Sequence, residues 1–206
     1  STNPTSVVTY YVTATFAATT NYNACTSSKD KFVISKATPT LTLTGTTITY
    51  DGSSKATVKG KSNVKGTIYY GTTSAMGSSK SATANTEYEL ASRTTGGITT
   101  VYAAFVPEDT TNYNSLGSST SHNKTADAKV NKATGSCTVS MEGWTYGGTA
   151  KSPSSSSTTN SGATVTYTYY NSAGTSLGAT RPSNAGTYSV TATFAATTNY
   201  NACTSS

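Results

Sequence analysis

The chain has 206 residues, 34% of them hydrophobic and only 11% charged, which is too little charge for ordinary disorder. Its net charge of +6 is spread thinly rather than gathered on one face, which argues against a nucleic-acid partner. There is no apolar run long enough to cross a membrane as a helix. Thr, Val, Tyr and Ile stand where a helical protein would carry Ala, Leu and Glu, so the expectation is an all-β fold.

Residues 1–36 read as the C-terminal part of a domain whose front lies upstream. Thr9 to Phe16 alternates, with Tyr10, Val12, Ala14 and Phe16 on one face of a half-buried strand. Thr19-Thr-Asn-Tyr-Asn23 follows as a loop, because Asn bonds its local backbone and tolerates turn conformations. Lys31–Ser35 is a short closing strand. Lys36-Ala37-Thr38 and Lys132-Ala133-Thr134 are the expected domain junctions.

A complete domain is expected over 37–132. Leu41 and Leu43 mark its first strand, and Ile48-Thr-Tyr50 a second that turns at Asp51-Gly52. The basic run Lys55–Lys65 reads as a solvated strand edge, where lysine discourages edge-to-edge pairing; an anionic-ligand patch is the other reading. Strands follow at Val64–Tyr70, Tyr88–Leu90, Ile98–Phe105 and Lys124–Asn131, with residues 71–86 as a long polar connection. So many short strands in one domain of this size suit a sandwich.

The second domain, 133–206, opens with alternating Cys137, Val139 and Met141. Trp144-Thr-Tyr146-Gly-Gly148 takes the place of Ile48-Thr-Tyr50-Asp-Gly52, and 152–162 is a Ser/Thr-rich loop. Val165–Tyr170 and Gly186–Phe194 are strands, and the domain is expected to lack its final strand.

One stretch occurs twice. Val12–Ser28 reads VTATFAATTNYNACTSS, and Val190–Ser206 repeats it residue for residue, an offset of 190 − 12 = 178. A looser copy runs from Val101 to Ser115. Self-similarity at a fixed period is the mark of a tandem array. The repeat also accounts for an odd cysteine count. Cys25 is Cys203 one period earlier, and its partner would sit upstream, so Cys137 and Cys203 should pair with each other. A disulfide suits an extracellular location.

Tyr-Asp/Gly-Gly near a domain start, Asn184-Ala-Gly-Thr-Tyr188, the Thr-Thr-Asn-Tyr-Asn loops and the Lys-Ala-Thr junctions together resemble the bacterial Ig-like tandem surface repeats, especially the MBG or YDG modules of large adhesins. The resemblance covers the whole chain and is clearest over 133–206; the first domain departs from it, with Gly-Gly-Ile-Thr-Thr at 96–100. It implies tandem Ig-like sandwiches, or β-grasp-like domains as the alternative. It implies an extracellular stalk or cell-surface protein and brings no catalytic residues.

Residues that could carry chemistry are few. His122 stands alone in a polar connection, and Glu108-Asp109 is the one adjacent acidic pair. On a strand such a pair points to opposite faces, and a Ca²⁺ cage wants six to eight oxygens. Neither a metal nor a cofactor is expected, and the chain does not read as an enzyme. Tyr69, Tyr70, Tyr169 and Tyr170 are candidate ligand-facing aromatics that could stack on sugar rings, although tyrosine also fills the surfaces of small sandwiches. Trp144 reads as core. An isopeptide bond at Lys36 or Lys132 lacks a neighbouring carboxylate, and Asn123-Lys-Thr125 is a glycosylation sequon.

Two functions emerge. One is a structural module that assembles end to end with neighbouring copies as a spacer. The other is an adhesive module that holds glycan or matrix protein.

Overall fold

The computed structural model describes residues 3–82 and 86–205, and among these the chain is all-β, with no α-helix. The first strands are short: β1 (Thr9–Val12), β2 (Thr15–Phe16), β3 (Cys25–Thr26) and β4 (Asp30–Val33). They form two separate two-stranded ladders, β1 with β4 and β2 with β3. The expected continuous strand from Thr9 to Phe16 is therefore broken at Thr13-Ala14. Its alternating apolar face is also uncovered, with Val12 54% and Phe16 64% exposed.

The middle of the chain supplies β5 (Leu41–Gly45), β6 (Thr47–Thr49), β7 (Ala56–Ser62), β8 (Gly66–Gly71), β9 (Ser78–Ala82), β10 (Glu87–Arg93), β11 (Gly97–Pro107) and β12 (Lys124–Asn131). One sheet has the order β10-β7-β5, the other β6-β12-β11-β8-β9. Side chains from both meet over Gly60, where an added Cβ would touch Leu43, Leu90 and Ile68. The core around them includes Val58, Ile68, Val101 and Phe105, all with no exposed surface.

Two expectations fail here. The lysine-rich run is no sheet edge: β7 is the middle strand of its sheet. Small residues Ala56, Val58, Gly60 and Ser62 point inward, while Lys59 and Lys61 face out toward Glu87 at 3.9 Å each. The polar connection at 71–86 is not a plain loop either, because β9 forms inside it and pairs with β8 from Gly66↔Ala82 to Tyr70↔Ser78. Part of that connection, 83–85, lies outside the described residues.

The last third contributes β13 (Thr138–Ser140), β14 (Ser154–Ser156), β15 (Val165–Asn171), β16 (Ser176–Gly178), β17 (Tyr188–Phe194) and β18 (Cys203–Thr204). β13 pairs with β14, so the Ser/Thr-rich stretch is partly strand. The remaining strands form a sheet in the order β16-β15-β17-β18. Trp144-Thr-Tyr146 is not a strand, unlike Ile48-Thr49 in β6; its backbone runs into a turn at Gly147, which adopts φ +80°.

By compactness the chain divides into two units. One gathers Ser1–Gly45, Thr57–Ala91 and Thr100–Asp127; the other gathers Thr46–Ala56, Ser92–Thr99 and Ala128–Ser206. The core of the second unit is small: Ala192, Phe194 and Cys203, packed by Cys137, Val139, Val165 and Tyr167.

Candidate functional site

The verbatim repeat folds the same way twice. In the first copy β2 pairs Thr15↔Thr26 and Phe16↔Cys25; in the second, β17 and β18 pair Thr193↔Thr204 and Phe194↔Cys203. Several cross-links recur in both copies. Ala14 N donates to Ser27 Oγ at 2.9 Å, as Ala192 N does to Ser205 Oγ at 2.9 Å. Thr19 N donates to Tyr22 O at 2.8 Å, and Thr197 N to Tyr200 O at 3.0 Å. The hairpin is therefore encoded locally: Ser and Thr hydroxyls tie its strands, and the Thr-Thr-Asn-Tyr-Asn loop closes on its own backbone.

Burial separates the two copies. Phe194 is 5% exposed and Cys203 9%, whereas Phe16 is 64% exposed and Cys25 is an exposed free thiol. The second copy has a cover that the first lacks. Cys203 forms a disulfide with Cys137, their Cα atoms 6.1 Å apart. Asn160, fully buried, donates through Nδ2 to the carbonyls of Ala195 (2.9 Å) and Asn201 (3.0 Å), and its Oδ1 accepts from Thr159 Oγ1 at 2.8 Å. This asparagine pins the hairpin loop from beneath. The sequence offered no signal for it, because it sits in a Ser/Thr-rich stretch that reads as surface.

The Lys-Ala-Thr junctions meet the hairpin loops in a repeated clasp. Ala37 N donates to Asn112 O at 2.9 Å and Asn114 N returns to Ala37 O at 2.9 Å. Ala133 does the same with Asn199 and Asn201, at 2.8 Å each. The loop Asn side chain then takes one more donor: Val7 N reaches Asn112 Oδ1 at 3.1 Å, and Gly96 N reaches Asn199 Oδ1 at 2.8 Å. Tyr113 and Tyr200 are half-buried under these clasps; Tyr200 packs edge-on against Tyr50 at 5.4 Å. The unclasped Tyr22 is 79% exposed.

Above the small core of the second unit lies an open groove of about 560 Å³. Val139, Met141, Trp144, Tyr169, Tyr188 and Val190 supply its apolar lining. Trp144 is half-buried on the groove wall rather than enclosed, with the Arg181 guanidinium 5.8 Å from its ring centroid. At the groove's base β15 covers one edge of β17 along its length, while on the other edge, among the described residues, β18 pairs with Thr193-Phe194. A second hollow, of about 470 Å³, lies by Lys65, Glu108 and Asp109 in the first unit. Its charges already engage each other, with Lys65 Nζ 2.9 Å from Glu108 Oε2.

The candidate aromatics do not form an exposed platform. Tyr169 is 6% exposed and belongs to the groove floor, while Tyr69, Tyr70 and Tyr170 are half-buried. His122 is exposed and sits edge-on to Tyr102 at 4.9 Å. Glu108 and Asp109 have separate partners, and no group of three or more His, Cys, Asp or Glu gathers among the described residues. Asp109 titrates below the usual carboxylate range because the Asn112 side chain and backbone N–H donate to it, at 2.7 and 3.0 Å. Asp51 is lowered more strongly by the Ser54 hydroxyl and the Ser53 and Ser54 N–H groups, which close the turn after β6. Both are turn-closing carboxylates. No family model, no curated protein and no solved structure matches the chain.

Proposed function

We propose that the chain is a structural tandem-repeat module of an extracellular bacterial stalk or fibre, assembling end to end with neighbouring copies as a spacer. On this reading 37–132 is one Ig-like domain, 133–206 belongs to a second, and 1–36 belongs to another of the same kind. The observation that carries it is the duplicated hairpin: the same residues, register and hydrogen bonds recur at a spacing of 178, which serves length and assembly directly. The Cys137–Cys203 disulfide suits an oxidising, extracellular setting. A spacer needs no catalytic group, cofactor or metal, and turn-closing carboxylates and core-facing tyrosines are the kinds of residue it uses.

The experiment is a length series. Chains of one, two and three periods of 178 residues would be compared by small-angle scattering. A spacer gains a constant increment in maximum dimension per period, whereas growth with the cube root of mass would refute it. An adhesive module would instead score on a glycan or matrix-protein array in a way that Tyr-to-Ala changes at Tyr69, Tyr70, Tyr169 or Tyr170 abolish.

A further inference from the structure

The two Lys-Ala-Thr junctions are held by the same contacts, although the segments on either side of them differ. At each, the alanine exchanges backbone hydrogen bonds with both asparagines of an Asn-Tyr-Asn loop: Ala37 with Asn112 and Asn114 at 2.9 Å, Ala133 with Asn199 and Asn201 at 2.8 Å. At each, the side chain of the first asparagine accepts one more backbone N–H, from Val7 at 3.1 Å and from Gly96 at 2.8 Å. Val7 and Gly96 hold matching places, each five residues before the valine, Val12 or Val101, that opens a copy of the repeat. Each set of contacts lies within one compact unit.

The second junction is shaped from both sides. Arg93 donates through Nε to Thr95 O and through Nη2 to Gly96 O, both at 2.7 Å, which fixes the bend leading into β11. Gly96 itself is buried, and a Cβ there would lie 2.0 Å from the Thr198 carbonyl oxygen, so glycine alone lets the bend come this close. Tyr50, which meets Tyr200 edge-on, precedes the turn that Asp51 closes through the Ser53 and Ser54 N–H groups.

Resting on the tandem-array reading, we infer that the Asn-Tyr-Asn loop is a joint lock: the site where each module captures the bend leading into β1 or β11 of the module before it, so that the Lys-Ala-Thr linker cannot act as a hinge. The ligand is main chain. The asparagine oxygen takes a peptide N–H, which Val7 and Gly96 both supply, so one loop sequence serves unlike neighbours. The alanine N–H and C=O are both engaged, and its two bonds and the side-chain bond share one loop, so they open together.

Hydrogen exchange at the Ala133 amide reads the lock, because that amide donates to a main-chain carbonyl and keeps its own acceptor in every variant. In Asn199→Ala it is expected to exchange about tenfold faster, the ratio set by roughly one hydrogen bond. Asn199→Asp should restore slow exchange, since a carboxylate still accepts from Gly96. Gly96→Ala pushes the bend off the loop with Asn199 intact and should match Asn199→Ala. Trypsin should cut after Lys132 faster in the two alanine variants, while the β15–β17 ladder stays protected. Should Asn199→Ala disturb the loop itself, Gly96→Ala decides: unchanged Ala133 exchange or unchanged Lys132 cleavage there overturns the lock. Asn199→Asp behaving like Asn199→Ala overturns the side-chain oxygen as the reader. These measurements use one chain. A constant increment per period with a failed lock leaves spacers on free hinges, and a failed length series with the lock intact sinks the spacer reading alone.

Discussion

Phe16 and Phe194 allow one perturbation to be run twice in identical sequence surroundings. Each lies in the same hairpin, with the same strand partner and the same hydrogen bonds, yet one is 64% exposed and the other 5%. A phenylalanine offers about 200 Å² of surface. The difference in burial is then roughly 120 Å², worth about 3 kcal/mol at ~25 cal/mol per Å². Phe194→Ala also leaves a cavity beside Ala192 and the disulfide, so its full cost should be about 3–5 kcal/mol. Phe16→Ala should stay within about 0.5–1 kcal/mol. The assay is denaturant unfolding of the oxidised chain, followed for Phe194→Ala by Trp144 emission, which reports on the second unit, and for Phe16→Ala by far-UV dichroism, which also reads the first unit. Equal shifts from the two variants, or a loss below about 1 kcal/mol for Phe194→Ala, would refute the idea that cover rather than sequence decides the value of this hairpin.

Three further outcomes follow from the same geometry. A thiol reagent should label one site per native chain, at Cys25; reducing Cys137–Cys203, which spans 66 residues, should lower the stability of the second unit by roughly 4 kcal/mol on the chain-entropy estimate, read from unfolding with and without reductant. Asn160→Ala should cost about 2–4 kcal/mol by stripping donors from the Ala195 and Asn201 carbonyls, and Asn160→Asp should not rescue it, because a carboxylate cannot donate to either. Asp51 and Asp109 have lowered values when folded, so their contribution is complete above the unfolded value near pH 4 and disappears as pH falls through the folded ones. Asp51→Asn should therefore flatten the loss of stability between about pH 4 and pH 2, and an unchanged acid limb would show that the turn contributes nothing.

How much of this was legible depended on whether a residue's role was local. The all-β character, the turn at Asp51-Gly52 and the strand Lys124–Asn131 follow from patterns within a few residues. The cysteine pairing came from the period rather than from local pattern. The central place of β7 was hidden because its inward positions are Ala, Val, Gly and Ser: small residues fit beneath Leu43, Leu90 and Ile68, while the lysines between them suggest a solvated edge. β9 was hidden because an outer strand of Ser and Lys needs only backbone pairing with β8. The opposite error occurred at Thr9–Phe16, where good alternation promised burial that requires a covering layer. Of the candidate site, Tyr169 was named as a possible ligand-facing aromatic, with packing in a small sandwich as the other reading, and it floors the groove. Trp144 was placed in the core and lines the groove wall. The groove itself could not be read, since it depends on which edge of β17 lacks a neighbour.

The Cys137–Cys203 bond has a mechanical meaning. If the chain bears tension along its length, force that reaches Cys137 crosses to Cys203 through the sulfur bridge. The segment between them is out of the load path. Without the bridge, unravelling those residues would release roughly 220 Å of slack at about 3.4 Å per residue. With it, that segment yields only as far as the two bridged Cα atoms can separate. Its groove, hairpin and buried asparagine therefore keep their shape under a pull that would unzip β2 from β3, where the matching thiol, Cys25, is unbonded.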